Sequence, residues 1–204
     1  MLPSFRPARS DSISFSMRPR YHSQALVLAR TPHGESSASL ALLTPEFGLL
    51  RARAQGIRAS GAKLAPALQT LSLADVILVR GKEYWRLAGA SLARSYAQEL
   101  LPSAKARAGR IARLLLRLMQ GESSDPAAFF IVKGFFDALP ALTEEEADAA
   151  ECLAALRILQ TLGLDAGDIP GDDFDFGSDA LTAVEAGKRA YVTRVNRGIE
   201  ASGL

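Results

Sequence analysis

Apolar and polar positions alternate along the chain from about residue 23 to residue 92, and from about Ser95 the apolar positions recur every three to four residues instead. A period of two places successive side chains on opposite faces of a strand, and a period near 3.6 gathers them on one face of a helix. The alternating half predicts five strands. Residues 23–30 form the first, followed by a turn marked by Pro32 and Gly34. Residues 38–44 form the second, closed by the tight turn Pro45-Glu46-Phe47-Gly48. The third spans Leu49 to Gln55, with Arg51, Arg53 and Gln55 on one face and Leu50, Ala52 and Ala54 on the other. Residues 54–69 make a loop with Gly56 and Gly61 for unusual backbone angles and a spaced pair of cations, Arg58 and Lys63. A long, bent fourth strand runs from Leu68 to Arg80, a hairpin turn covers Arg80 to Glu83, and a fifth strand runs from Tyr84 to Leu92. Five strands with short connections and one long basic loop suit a small closed barrel, the five-stranded OB-fold, better than a sandwich, which needs more strands.

The second half predicts a bundle of about four helices. The first covers Ala106 to Gln120, with Ile111, Leu114, Leu115 and Leu118 toward the core and Arg107, Arg110, Arg113 and Arg117 on a shared face. A turn at Ser123–Pro126 precedes a helix over Ala127–Leu139, which Pro140 ends. Thr143 is a predicted N-cap, with Glu144, Glu145 and Glu146 in the first turn of a helix that Gly163 closes. An acidic loop over Gly167–Gly177 leads to a last helix at about 180–201, weakened by Gly187. The predicted organisation is therefore an unstructured, Pro/Ser/Arg-rich extension over 1–20, an all-β domain over 21–95 and an all-α domain over 96–204. Met17 stands directly before the patterned region and is a second candidate start of translation beside Met1.

Charge changes the picture more than composition does. The whole chain has a formal charge of only +2, yet residues 18–95 hold eleven Lys/Arg against four acids and residues 96–204 hold eleven against seventeen. A basic barrel followed by an acidic helical half suggests a module that meets a polyanion and a second module with another task. One cysteine, Cys152, excludes an internal disulfide and a Cys-rich zinc site, and only two histidines make a His-based metal site unpromising. No apolar run approaches the roughly 20 residues of a membrane span, and the first residues lack a signal-peptide core, so the cytoplasm is the expected compartment.

Enzyme chemistry has little to stand on. There is no P-loop, no G-x-G-x-x-G after a strand and no nucleophile elbow. Asp172, Asp173 and Asp175 lack the Gly-centred calcium pattern, and Cys152 lies in an apolar helical run that suits a core residue better than a nucleophile. The candidate chemistry is a phosphate grip: Arg51 and Arg53 on the third strand, Arg58 and Lys63 on the loop, Arg80 and Lys82 at the hairpin, and Arg86 on the fifth strand. Tyr84 and Trp85 occupy adjacent positions and point to opposite faces, one toward the core and one available to stack on a base. Two readings stay open on these residues: a DNA-binding OB-fold protein, or an RNA-binding OB-fold protein with a helical dimerisation module.

The ordered set of motifs resembles the RecO family of DNA repair and recombination mediators. The matching stretches are Ala25-Leu26-Val27-Leu28, Gly34-Glu35-Ser36, Leu42 to Leu49, and Gln55-Gly56-Ile57-Arg58. Leu64-Ala65-Pro66-Ala67-Leu68-Gln69-Thr70-Leu71 is similar to the family's L-x-x-x-L-Q-P-F segment, and Leu153 to Leu164 is similar to the family helix that ends in L-G-Y. The resemblance implies an OB-fold that binds single- and double-stranded DNA, strand annealing, and loading of a recombinase onto DNA coated by single-strand-binding protein. It also implies RecR and the C-terminal tail of single-strand-binding protein as partners, a nucleoid-associated cytoplasmic location, and no enzymatic activity. By the same analogy the tail would lie on the helical half, with Arg107, Arg110, Arg113 or Arg117 pairing its acidic end. The chain departs from the family at Gln55 and Ala59, where basic residues are usual, and at Leu71, where phenylalanine is usual. These departures imply a grip that is either weaker or moved to Arg51 and Arg53. Many members carry a four-cysteine zinc site; with Cys152 alone, no zinc or other cofactor is expected here.

Overall fold

A computed structural model of the chain describes residues 18–55, 64–172 and 174–203. The alternating half becomes five strands: β1 Arg20–His33, β2 Ser37–Thr44, β3 Gly48–Ala54, β4 Ser72–Arg80 and β5 Trp85–Ser95. They close into a barrel in the order β1-β2-β3-β5-β4. Neighbouring strands run antiparallel except β3 and β5, which meet in a short parallel pairing of Ala52 with Trp85 and Arg53 with Arg86. This is the expected OB-fold.

Each strand's two faces are covered by different partners. Ala25, Val27, Leu40, Leu42, Leu50, Ala52, Leu78 and Trp85 fill the barrel. The opposite faces of the same strands contribute Leu26, Leu28, Ala41, Leu43, Leu49 and Leu73 to a second apolar cluster shared with the helices. Burial on both faces explains why residues 25–28 are an unbroken apolar run rather than an alternating one.

The fourth strand begins at Ser72, four residues after its expected start at Leu68. Pro66 sets up a 3-10 turn over Pro66–Leu68, and the buried Ser72 hydroxyl donates to the carbonyls of Ala67 at 2.8 Å and Gln69 at 2.6 Å. Leu71 then takes a φ of +62°, unusual for a branched side chain. Its amide donates to the Val27 carbonyl at 2.9 Å, and its side chain stays buried. Register shifts between β4 and β5 at Leu73/Ala74 and Ile77/Leu78 bend this pair, as closure of a small barrel requires.

Among the described residues the helical half has six α-helices: α1 Tyr96–Glu99, α2 Pro102–Leu118, α3 Ala127–Ala138, α4 Glu144–Thr161, α5 Ser178–Ala186 and α6 Lys188–Ala201. Two differences from the expected four have local causes. Pro102 stands in the first turn of α2, where its missing N–H costs nothing, so the helix starts four residues before Ala106. Gly187 does more than weaken the last helix: it ends α5 and opens α6 at φ −101°, and a Cβ there would come within 2.7 Å of the Tyr191 ring. α4 opens with the predicted cap, completed as a capping box in which Thr143 and Glu146 satisfy each other's backbone N–H groups.

A polar node ties the barrel to the bundle. The Asp137 carboxylate on α3 accepts from the buried Tyr96 hydroxyl at 2.7 Å, from Arg94 of β5 at 2.5 Å and from Lys133 at 2.6 Å. Burial pushes the Asp137 carboxyl up, but the hydrogen bonds from Lys133 and Tyr96 outweigh it and hold the group below the usual carboxylate range. Among the described residues no helix is long and apolar enough to cross a membrane.

Candidate nucleic-acid interface

The pleat of β3 decides where its cations point. Ala52 and Ala54 face into the barrel, so Arg51 and Arg53 face out, as the alternation predicts. The parallel pairing with β5 sets Arg53 beside Arg86 on the same outer face. Tyr84 lies two residues before Arg86, and the Arg53 guanidinium stacks over its ring at 3.8 Å from the centroid. Trp85 points the other way and is buried, against Tyr21 and Phe47 at ring separations of 5.4 and 5.1 Å. Of the two adjacent aromatics, therefore, Trp85 closes the barrel and Tyr84 belongs to the basic face.

Next to this face lies a cleft of about 560 Å³ between the β4–β5 hairpin and the C-terminal end of α2. Arg51, Arg80 and Lys82 line it from the barrel and Arg117 lines it from α2. The segment after α2 forms its wall. Glu122 makes an isolated bridge with Gly48, and the Ser123 amide donates to the Phe47 carbonyl at 3.0 Å. Gly48 has a φ of +63°, and a Cβ there would lie 2.9 Å from the Ser123 backbone nitrogen, so both the turn and this contact call for glycine. The Glu122 carboxylate accepts from the Trp85 indole at 2.8 Å and from Arg80 at 3.1 Å. Arg80, whose guanidinium also sits 5.2 Å over the Trp85 ring, is thus partly neutralised, although the pair is open to solvent.

Arg51, Arg80 and Lys82 of the sequence-predicted grip line the cleft, and Arg53 and Arg86 adjoin it on the β3–β5 face. Arg58 and Lys63 lie outside the described residues. The cleft adds two residues that sequence reasoning did not place there, Arg117 and Glu122. The arginine stripe marks Arg117 as a helix-face residue, but no local pattern places it or Glu122 at the cleft, because both reach the barrel only through the packing of α2.

The arginine stripe on α2 does not behave as one surface. Arg107 is nearly buried and pairs with Glu144 at 3.0 Å, with Asp148, and with Glu151 at 3.1 Å. Arg110 pairs with Glu151 at 2.5 Å. These two arginines fasten α2 to α4, while Arg113 and Arg117 stay exposed with no ion pair among the described residues. Burial pushes the Cys152 thiol up to about 11, which keeps it protonated near neutrality. Among the described residues no group of three or more His, Cys, Asp or Glu side chains is placed to hold a metal. A lone cysteine cannot supply a four-cysteine zinc set.

Fold and face together define an OB-fold protein with a helical C-terminal half and a cation-rich, aromatic-flanked outer surface. The family model described as "Recombination protein O N terminal" matches residues 17–96, the barrel itself. Proteins called DNA repair protein RecO are similar over longer stretches. The one from Heliobacterium modesticaldum is 31% identical over 144 residues, covering 70% of this chain and 51% of the relative. The one from Dehalococcoides mccartyi is 27% identical over 127 residues, 62% of this chain and 50% of the relative. The one from Synechococcus elongatus is 37% identical over 94 residues, 46% and 32%. The chain belongs to the RecO family of DNA repair and recombination proteins, and it spans about half the length of the curated relatives it matches.

Proposed function

We propose that this chain binds single- and double-stranded DNA through the barrel over 21–95, anneals complementary strands and helps load recombinase onto DNA coated by single-strand-binding protein. The observation that carries the reading is the outward row of Arg51, Arg53 and Arg86 beside Tyr84, on the strand pair where β3 and β5 meet. Cations spaced along a strand match backbone phosphates, and the half-buried Tyr84 ring, with Arg53 stacked over it, adds an aromatic beside them that can pack on a base in a sequence-tolerant way. Lys82 and Arg80 extend the grip at the hairpin, and Arg58 and Lys63, outside the described residues, are assigned to it from the sequence alone. Neutralising two strands at once lowers the repulsion that keeps them apart, which is what annealing needs.

In the same reading the helical half over 96–204 engages partners, RecR and the tail of single-strand-binding protein, in a nucleoid-associated cytoplasmic protein without enzymatic activity. A groove of about 340 Å³ lined by Ile111, Leu114, Val192, Val195 and Ile199 suits a short apolar tail, whose acidic end would have to compete with Asp148 and Glu151 for Lys188 and Arg110. The test is annealing of complementary oligonucleotides with and without single-strand-binding protein. Acceleration on both bare and coated strands is the expected result. Tighter binding to structured RNA than to single-stranded DNA at matched salt would overturn the assignment in favour of an RNA-binding role.

A further inference from the structure

The cleft described above sits between a barrel segment and a helix, and its cations come from both. Arg51 and Lys82 reach it from the barrel and Arg117 from the last turn of α2, and none of the three makes an ion pair among the described residues. Arg80, the fourth, is held by Glu122. A cluster of like charges is unfavourable unless something anionic meets it. Among the described residues Glu122 meets one member only, and the Glu83 carboxylate on the cleft wall carries no ion pair. Two further points fit an external anion. Arg51 has its neighbour Arg53 on the same outward face of β3, so the cleft is continuous with the row beside Tyr84. The cleft is also large enough, at about 560 Å³, to admit a nucleotide-sized segment.

We propose that the cleft is a phosphodiester-binding site in which Arg117 is a contact from the helical half, so that a single strand gripped by the β3–β5 face continues onto α2. The proposal rests on the DNA-binding reading and extends it beyond the barrel. Glu122 has a defined part: its carboxylate occupies on Arg80 the place that a backbone phosphate would take, while holding the indole of the largely buried Trp85 at the cleft lining. The strand therefore meets three open cations and one that must first give up an internal acid.

The experiment is a salt titration of binding to a fluorescently labelled oligothymidylate by the full chain. The variants are Arg117→Ala, Arg113→Ala, Glu122→Gln and the pair Arg51→Ala with Arg53→Ala. Arg113 is exposed on the same helix but does not line the cleft, so it controls for loss of charge alone. Arg117→Ala is expected to flatten the slope of log affinity against log salt by about 0.7, one phosphate contact, and Arg113→Ala to leave it unchanged. Glu122→Gln keeps an acceptor for the indole and frees Arg80, and is expected to steepen the slope by about the same amount. Equal behaviour of Arg117→Ala and Arg113→Ala, with the Arg51/Arg53 pair still flattening the slope, would confine binding to the barrel and overturn the proposal. A slope indifferent to all the variants, or no binding at all, would take down the DNA-binding reading and the proposal with it.

Discussion

Arg51→Ala with Arg53→Ala is the perturbation that addresses the grip most directly. Arg51 is exposed and Arg53 is half-buried under its own stacking contact with Tyr84, 3.8 Å from the ring centroid. Neither forms an ion pair among the described residues, so their removal leaves no buried charge behind. The cost to folding should be about that of one exposed cation–π contact, roughly 0.5 to 1 kcal/mol. For a chain of this size that lowers the melting temperature by no more than about 4 °C. The cost to binding is read from salt. Each phosphate contact on a single strand contributes roughly 0.7 to the slope of log affinity against log salt, so two contacts contribute about 1.4. Over a fourfold rise in salt, such as 50 to 200 mM, the wild type's advantage should shrink about sevenfold. The loss should be alike for all sequences, because phosphate contacts carry no base information. Annealing should fall in parallel. Tyr84→Ala supplies the contrast: loss of a stacked base lowers affinity by roughly 1 to 3 kcal/mol and leaves the slope alone. The assay is fluorescence anisotropy of labelled oligonucleotides across a salt series, with melting curves for each variant. An unchanged slope in a folded double variant would refute the reasoning and move the groove to Arg58, Lys63 and Lys82.

Two predictions concern the fold that carries this face. Asp137→Ala removes the acceptor of the fully buried Tyr96 hydroxyl, and an orphaned buried hydroxyl costs roughly 1 to 3 kcal/mol, so urea melts should show about that loss and a double-mutant cycle with Tyr96→Phe should show coupling. Because the folded Asp137 carboxyl lies below its ordinary value, its contribution is present above the unfolded value and is lost as pH falls through the folded one; the gap between wild type and Asp137→Asn should therefore close only on acidification through and below the usual carboxylate range. Cys152, pushed up by burial to about 11, should react with iodoacetamide at pH 8 on the order of a hundredfold more slowly than free cysteine, and labelling at the free-thiol rate would contradict its place between α4 and its neighbours.

What the residue pattern alone determined is whatever depends on neighbours in the chain. The alternation of Arg51, Arg53 and Gln55 against Leu50, Ala52 and Ala54 settled the outward face of β3, because a strand's pleat leaves no other choice. The change of period near Ser95 settled where the barrel gives way to helices, and Thr143 with Glu146 settled the start of α4. The start of β4 was misplaced because the 3-10 turn at Pro66 and the left-handed Leu71 are held by bonds to Ala67, Gln69 and Val27 that no period reports. The four arginines of α2 were alike on their helix face and unlike in the fold. Arg107 and Arg110 meet acids of α4 some forty residues away, and Arg117 meets the barrel's cleft. The parallel contact that sets Arg53 beside Arg86, and the insertion of Glu122 between Arg80 and Trp85, exist only because barrel closure brings distant segments together. Periodicity decides which face a side chain takes, and tertiary packing alone decides which charges meet one another and which remain open to a ligand.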